Sequence, residues 1–196
     1  MNDGIFNVEQ AYRLDNPGRI DELKPLKPLR DTAGIQKGYT CIDFGSGTGA
    51  FALPMAELVG DKGKVYAIDN SAKMMEHINA KNPPPHLIPI QSNVERTGLN
   101  NNITDICLLA FILHEAKQPE NLIKEAHRLL ESGGRLVIVE WNADLDSPGP
   151  PRKNRIPQQQ VEQLLHQVSL ILTNNIEWNK NHYVVIGNEE MAPGGF

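Results

Sequence analysis

The chain has 196 residues, 40% of them apolar and 6% aromatic, with two cysteines and a formal net charge of −5. That length suits one domain with a full core, and the composition is that of a globular chain, neither disordered nor fibrous. The acidic balance argues against general nucleic-acid binding, no apolar run reaches membrane length, and Met1-Asn-Asp-Gly lacks the features of a secretory signal. Cys41 and Cys107 each fall inside a predicted strand and read as reduced core thiols, so a cytoplasmic protein is expected.

Residues 1–37 are expected to stand apart from the core. Val8 to Leu14 has room for a helical turn or two, Asn16-Pro17-Gly18 reads as a turn before Arg19–Leu23, and Pro25 and Pro28 break the segment again. It is too polar to be a domain and too rich in Tyr, Arg and Leu to be a plain tail. Two readings stay open, a strap packed on the sheet and a lid from Ile5 to Leu23 over a ligand.

The stretch from Thr40 to Leu58 organises the chain. Cys41, Ile42 and Phe44 make a strand-length apolar run, Gly45, Gly47 and Gly49 alternate after it, and Phe51, Leu53, Met55, Ala56 and Leu58 follow at helical spacing. Strand, glycine turn and helix in that order form half of a βαβ unit, whose loop and helix N-terminus receive a nucleotide-like ligand. Gly45-x-Gly47-x-x-Ala50 also satisfies a dinucleotide fingerprint. Asp43, two residues before the first glycine, argues against NAD, because a carboxylate at the loop mouth repels a pyrophosphate and welcomes a sulfonium or ammonium. Asp69 ends the next strand, Val65–Ile68, where a carboxylate accepts hydrogen bonds from ribose hydroxyls.

Alternation of strand and helix continues. Ser71 caps a predicted helix through Met74, Met75 and Ile78, which Pro83–Pro85 ends. Leu87–Ile90 is a third strand whose proline suggests an edge, with Asn93 and Val94 at its carboxyl end. Ile106–Ile112 reads as a strand buried on both faces. Pro119-Glu120 opens a helix stopped by Gly133-Gly134, and Leu136–Trp141 makes the fifth strand. A loop spans Asn142–Asn154, a helix Gln158–Leu172, and Ile176–Trp178 with Tyr183–Ile186 make a closing pair of strands. Residues 189–196 read as a flexible tail.

Taken together, Asp43-x-Gly45-x-Gly47-x-Gly49, Asp69, Asp105–Ala110, Leu129–Ile138 and Gly149-Pro-Pro-Arg152 with Arg155-Ile resemble the class I S-adenosylmethionine-dependent methyltransferases, in their small ubiquinone/menaquinone-methyltransferase-like branch. The match runs from about Gly38 to Gly187. It implies a doubly wound, Rossmann-like α/β fold with a seven-stranded sheet, mostly parallel with an antiparallel last strand, over residues 38–188. It further implies S-adenosylmethionine as cofactor, held by Asp43, Gly45, Ser46, Gly47, Asp69, Asn70, Asn93, Val94, Ala110 and Phe111. Asn93 stands where many members have Asp and Asn70 where many have an apolar residue, so the adenine contacts depart from the pattern. Tyr12, Arg13 and Arg155 become acceptor-pocket candidates.

Outside the cofactor site few residues invite chemistry. His114, after the fourth strand, lies at the edge where α/β sheets hold ligands and is the one catalytic candidate, beside the plain reading of a satisfied strand-end histidine. Glu140, Asn142 and Asp144 lie near the next strand's end, where they could receive an acceptor, beside the plain reading of a polar loop after a strand. The other histidines share no metal-ligand spacing, and no metal is expected. The expected function is methyl transfer from S-adenosylmethionine to a small-molecule acceptor, with no nucleic-acid or membrane partner. An NAD-dependent oxidoreductase and a non-catalytic cofactor-binding domain on the same fold are the competing readings.

Overall fold

A computed structural model describes residues 8–147 and 149–189. The expected tail from residue 190 and the first seven residues of the N-terminal segment lie outside them. The described residues fall into two units, divided between Gly98 and Leu99.

In the first unit three parallel strands, β1 (Thr40–Phe44), β2 (Lys64–Asp69) and β3 (Leu87–Gln91), lie in the order β3-β2-β1. Cys41 pairs with Val65 and Val65 with Leu87, which brings the apolar runs into register. Cys41, Ile42 and Phe44 are fully buried, as a strand covered on both faces requires. β3 is an outer strand, where Pro89 removes no ladder bond on its free side. Helix α3 (Ala52–Val59) buries Ala52, Met55, Ala56 and Val59, and α4 (Ala72–Ala80) buries Met74, Met75 and Ile78.

Residues 8–31 are more helical than their sequence suggests. A 3₁₀ stretch, Val8–Arg13, leads to α1 (Pro17–Leu23) and α2 (Leu26–Asp31). Asn16 caps α1, its Oδ1 accepting from Gly18 N at 2.9 Å, and Pro17 opens the helix instead of forming a separate turn. Pro25 and Pro28 do not break the chain here. They sit at the N-cap and within the first turn of α2, where no intrahelical N–H is needed.

The second unit carries β4 (Thr104–Ala110), α5 (Pro119–Leu129), β5 (Leu130–Trp141), α6 (Gln158–Gln167), β6 (Ile171–Asn179) and β7 (His182–Asn188). Its strand order is β4-β5-β7-β6, with β4 and β5 parallel, β7 antiparallel to β5 and β6 antiparallel to β7. The chain thus has the expected seven-stranded, mostly parallel Rossmann-like sheet with antiparallel pairing at its C-terminal end.

Two boundaries shift. β5 begins at Leu130 rather than after Gly133-Gly134, because a register shift between Thr104 and Ile106 absorbs the glycines into the strand. α6 stops at Gln167, where Ser169 takes a φ of 64° and turns the chain, so Ile171 and Leu172 belong to β6.

Candidate functional site

β1 delivers Asp43 to the start of the glycine loop. Gly45, Gly47 and Gly49 hold φ values of 64°, 51° and 87°, a region that side-chain-bearing residues avoid. Ser46 N donates to the Ile68 carbonyl at 2.9 Å and ties the loop to the end of β2. There Asp69 accepts from Gly47 N with Oδ2 at 3.0 Å and from Ser71 N with Oδ1 at 2.9 Å. Burial raises the Asp69 pKa, and the N–H donors of Ser71, Gly47 and Asn70 pull it back. Ser71 therefore meets the helix start through its backbone; no side-chain cap bond forms. Each Asp69 oxygen keeps acceptor capacity for a further donor. A carboxylate held by its own loop and open to hydroxyls suits a ribose.

Asp43 differs from its expected setting. It is 2% exposed, beneath the loop rather than at its mouth. Burial pushes its carboxyl pKa up to about 8; an N–H donated by Ala52 opposes the shift, and the Asp69 charge adds to it. The carboxyl therefore holds its proton near neutrality, and the electrostatic case against a pyrophosphate weakens. Asp43 Oδ2 and Ser46 Oγ are buried with no hydrogen-bond partner among the described residues. Two such atoms beside one loop fit a site that a polar ligand completes.

Asn70 is exposed, and its carbonyl accepts from Gln91 Nε2 at 3.4 Å. Asn93 is exposed as well, its Oδ1 accepting from Glu95 N at 2.8 Å in a turn that carries half-buried Val94. All three follow the carboxyl ends of β2 and β3, on the side where Asp69 lies.

The N-terminal segment contributes contacts that periodicity did not reveal. Asp15 Oδ1 accepts from Thr48 Oγ1 and from Lys81 Nζ, each at 2.7 Å, and Lys81 Nζ also donates to the Thr48 carbonyl at 2.7 Å. The segment is pinned to the glycine loop and to the end of α4. The sequence reading names Tyr12 and Arg13 in this segment and not Asp15; both of those side chains are exposed. A Cβ on Gly47 would stand 2.9 Å from Leu14 Cδ1. Gly47→Val should therefore lose at least a hundredfold in ligand affinity while keeping its helical content. The positive φ alone disfavours a side chain by about 1–2 kcal/mol, and a branched one must also displace Leu14. Calorimetry beside circular dichroism checks this; native affinity would make the loop a structural turn only.

In the second unit Ala110 ends β4 and Phe111 follows with a φ of 58°, its N–H on the Val139 carbonyl at 2.8 Å. The Phe111 ring lies 5.4 Å from Trp141 and 5.0 Å from His182, and those two are 4.4 Å apart. His114 Nδ1 lies 2.9 Å from Glu140 Oε2 and 3.1 Å from Oε1. Arg155, an acceptor-pocket candidate, is turned to its own loop. It donates to the carbonyls of Pro150, Asn142, Leu145 and Ser147 and to Ser147 Oγ, all within 3.0 Å. Its guanidinium also stands 5.5 Å from the Trp141 ring. The sequence places Glu140 near a strand end as a residue that could receive an acceptor, and the strand's alternation says nothing of its partner His114.

Residues 42–138 match the family described as a methyltransferase domain. Among curated proteins, the ubiquinone/menaquinone biosynthesis C-methyltransferase of Haemophilus ducreyi is 26% identical over 122 residues, 60% of this chain and 47% of that protein. Its Yersinia pestis counterpart is 27% identical over the same share of this chain and 49% of its own length. The chain thus spans about half the length of these curated relatives. A SAM-dependent methyltransferase structure from Aquifex aeolicus superposes with a TM-score of 0.88 at 26% identity, covering 94% of this chain and 99% of the other. A (4+2)-cyclase, SpnF, shares the fold at 15% identity and a TM-score of 0.72, over 88% of this chain and 81% of its own.

Proposed function

From the premise that the chain belongs to the class I S-adenosylmethionine-dependent methyltransferases, of the ubiquinone/menaquinone-methyltransferase-like type, we propose that it transfers a methyl group from S-adenosylmethionine to a small-molecule acceptor. The observation that carries the reading is the Asp69 carboxylate, fixed by Gly47 N and Ser71 N with capacity left for two ribose hydroxyls. In this reading the Gly45–Gly49 backbone takes the methionine portion, with Ser46 Oγ and Asp43 Oδ2 gaining partners as the site fills. Asn70, Asn93 and Val94 serve the adenine. When bound, the cofactor supplies a methyl carbon already activated by its sulfonium. The protein's task is then placement, which contributes on the order of 7–11 kcal/mol for well-aligned reactants.

An acidic chain of formal charge −5 suits a small acceptor better than nucleic acid. No helix among the described residues is long and apolar enough to cross a membrane, and Cys41 and Cys107 are buried free thiols. Both fit action in the cytoplasm. The test is release of adenosylhomocysteine from the protein mixed with S-adenosylmethionine and a panel of oxygen, nitrogen, sulfur and carbon acceptors. Turnover above the acceptor-free rate is expected. Tight cofactor binding with no turnover across the panel would leave the non-catalytic domain as the better reading.

Residues 8–23 act in this account as a lid whose latch is Asp15. The Lys81–Asp15 pair is about one-third exposed, so it and the Thr48 bond together are worth only about 1 kcal/mol. Asp15→Ala should speed tryptic cleavage at Arg13 about fivefold, since cutting follows the open population. Adenosylhomocysteine should slow the same cut in the native protein. Cleavage unchanged by ligand would make the segment a fixed strap.

A further inference from the structure

The glycine loop covers a carboxyl whose charged form the empty protein serves poorly. Asp43 is 2% exposed, and the hydrogen bond that favours its ionised form comes from the Ala52 N–H. Its Oδ2 is buried with no hydrogen-bond partner among the described residues, and Ser46 Oγ, in the loop itself, is in the same state. A carboxylate has room for about four donors. In a site closed to solvent and short of donors, ionisation costs more than keeping the proton. Asp69 stands in contrast: it is half-buried, and its two oxygens already hold Gly47 N and Ser71 N.

The charges that bear on Asp43 all leave it short of a counter-ion. Asp69, from β2, is the charge whose field reaches it, and that field adds to the effect of burial. α3, which supplies the Ala52 N–H, carries one charged residue, Glu57, on its second turn. Lys81, just past α4, is engaged by Asp15 and by the Thr48 carbonyl, each at 2.7 Å. None of the groups that shift Asp43 is a cation, and the empty carboxyl keeps its proton up to about pH 8. A positive charge brought to the loop by a ligand is what this buried group lacks.

We propose that the cofactor binds by exchanging one cation for another: the ammonium of its methionine portion takes the place of the Asp43 proton, which leaves to solvent. The proposal rests on the methyltransferase reading above, which seats that portion on the Gly45–Gly49 backbone. The carboxyl O–H bond breaks with its electron pair left on oxygen, the proton passes to buffer, and the carboxylate is balanced by the ammonium. The net charge of the buried site is unchanged. A pyrophosphate could make no such exchange, because ionising Asp43 beside it would set like charges together. At about pH 6–7 an α-amino group, with an ordinary pKa of about 7.7–8.0, is already charged, so the proton released there is the protein's.

The test is calorimetry on the full chain with S-adenosylmethionine at about pH 6–7, in two buffers of different ionisation enthalpy. The dependence of the heat on buffer should report release of roughly one proton per cofactor, and Kd should fall about tenfold over that pH unit. Adenosylhomocysteine should release the same proton, because it keeps the ammonium and lacks only the methyl and the sulfonium charge. Asp43→Asn, shown to be folded by its thermal melt, should bind with no proton release and a Kd flat across the same range. Binding to the native protein without proton release, at a Kd flat in pH, would overturn the proposal. Release that persists in Asp43→Asn would overturn it as well, since the proton would then come from another group such as Asp69. Release with S-adenosylmethionine but none with adenosylhomocysteine would overturn the ammonium as the partner. Native protein that binds no S-adenosylmethionine in either buffer would strike the methyltransferase reading and the exchange together, whereas binding without release strikes the exchange alone.

Discussion

Asp69→Ala is expected to weaken S-adenosylmethionine binding at least a hundredfold. Two hydrogen bonds from ribose hydroxyls to a charged acceptor are worth about 1.5–3 kcal/mol each. The structure adds a second loss. Asp69 Oδ2 holds Gly47 N and Oδ1 holds Ser71 N, so the alanine variant also leaves the glycine loop and the start of α4 without their acceptors. The variant should therefore lose stability as well, by about 1–3 kcal/mol in chemical denaturation. Asp69→Asn separates the two roles. It can keep one of the backbone bonds, so its stability should recover further than its affinity. Calorimetry on both variants checks the prediction, and an alanine variant with native affinity would remove Asp69 from the cofactor site.

Asp43→Asn should make the ligand-free protein more stable at pH 9 than the native chain. The sign follows from the direction of the shift. The folded-state pKa, about 8, lies above the value of 3.8 for an unperturbed carboxyl in the unfolded chain, so the folded protein retains a proton that the unfolded chain has lost between those limits. Native stability must fall as pH rises from about 4 to about 8, then level off; below pH 4 the contribution vanishes. At about 1.4 kcal/mol per pH unit the upper limit is roughly 6 kcal/mol, and relaxation of the site should leave a few. Asparagine keeps an oxygen for the Ala52 N–H and carries no charge to bury. Thermal melts across pH 4–9 should show the native and variant curves diverging as pH rises. Parallel curves would mean that Asp43 ionises without difficulty. Loss of the charge should also weaken binding of a cationic ligand, since a sulfonium or ammonium favours the ionised form. A residue that destabilises the empty protein and helps hold its ligand is what a binding site often contains.

Much of this was legible in the sequence because it rests on local pattern. Cys41, Ile42 and Phe44 read as a strand because burial on both faces demands a continuous apolar run, and Gly45, Gly47 and Gly49 read as a loop because only glycine takes their φ values cheaply. Asp69 was found by its distance along the chain from the glycines. The boundaries that moved are those where pairing overrides composition: Gly133-Gly134 looks like a helix stop, yet a register shift draws both into β5. Pro25 and Pro28 misled because a proline's effect depends on which helical turn it occupies, which composition does not state. The setting of Asp43 was hidden for another reason. A carboxylate beside a glycine loop has the same sequence whether it faces water or lies beneath the loop at 2% exposure. Long-range partnerships, Asp15 with Lys81 and His114 with Glu140, leave no mark on periodicity at all.

The most direct test of the central claim is a calorimetric titration of the native protein with S-adenosylmethionine and, separately, with NAD at the same pH. Saturable one-to-one binding of S-adenosylmethionine, with no heat from NAD, is the result predicted by the match of residues 42–138 to a methyltransferase domain, since an Asp69 that serves a ribose would accept that of either ligand. Saturable binding of NAD with no response to S-adenosylmethionine would contradict it.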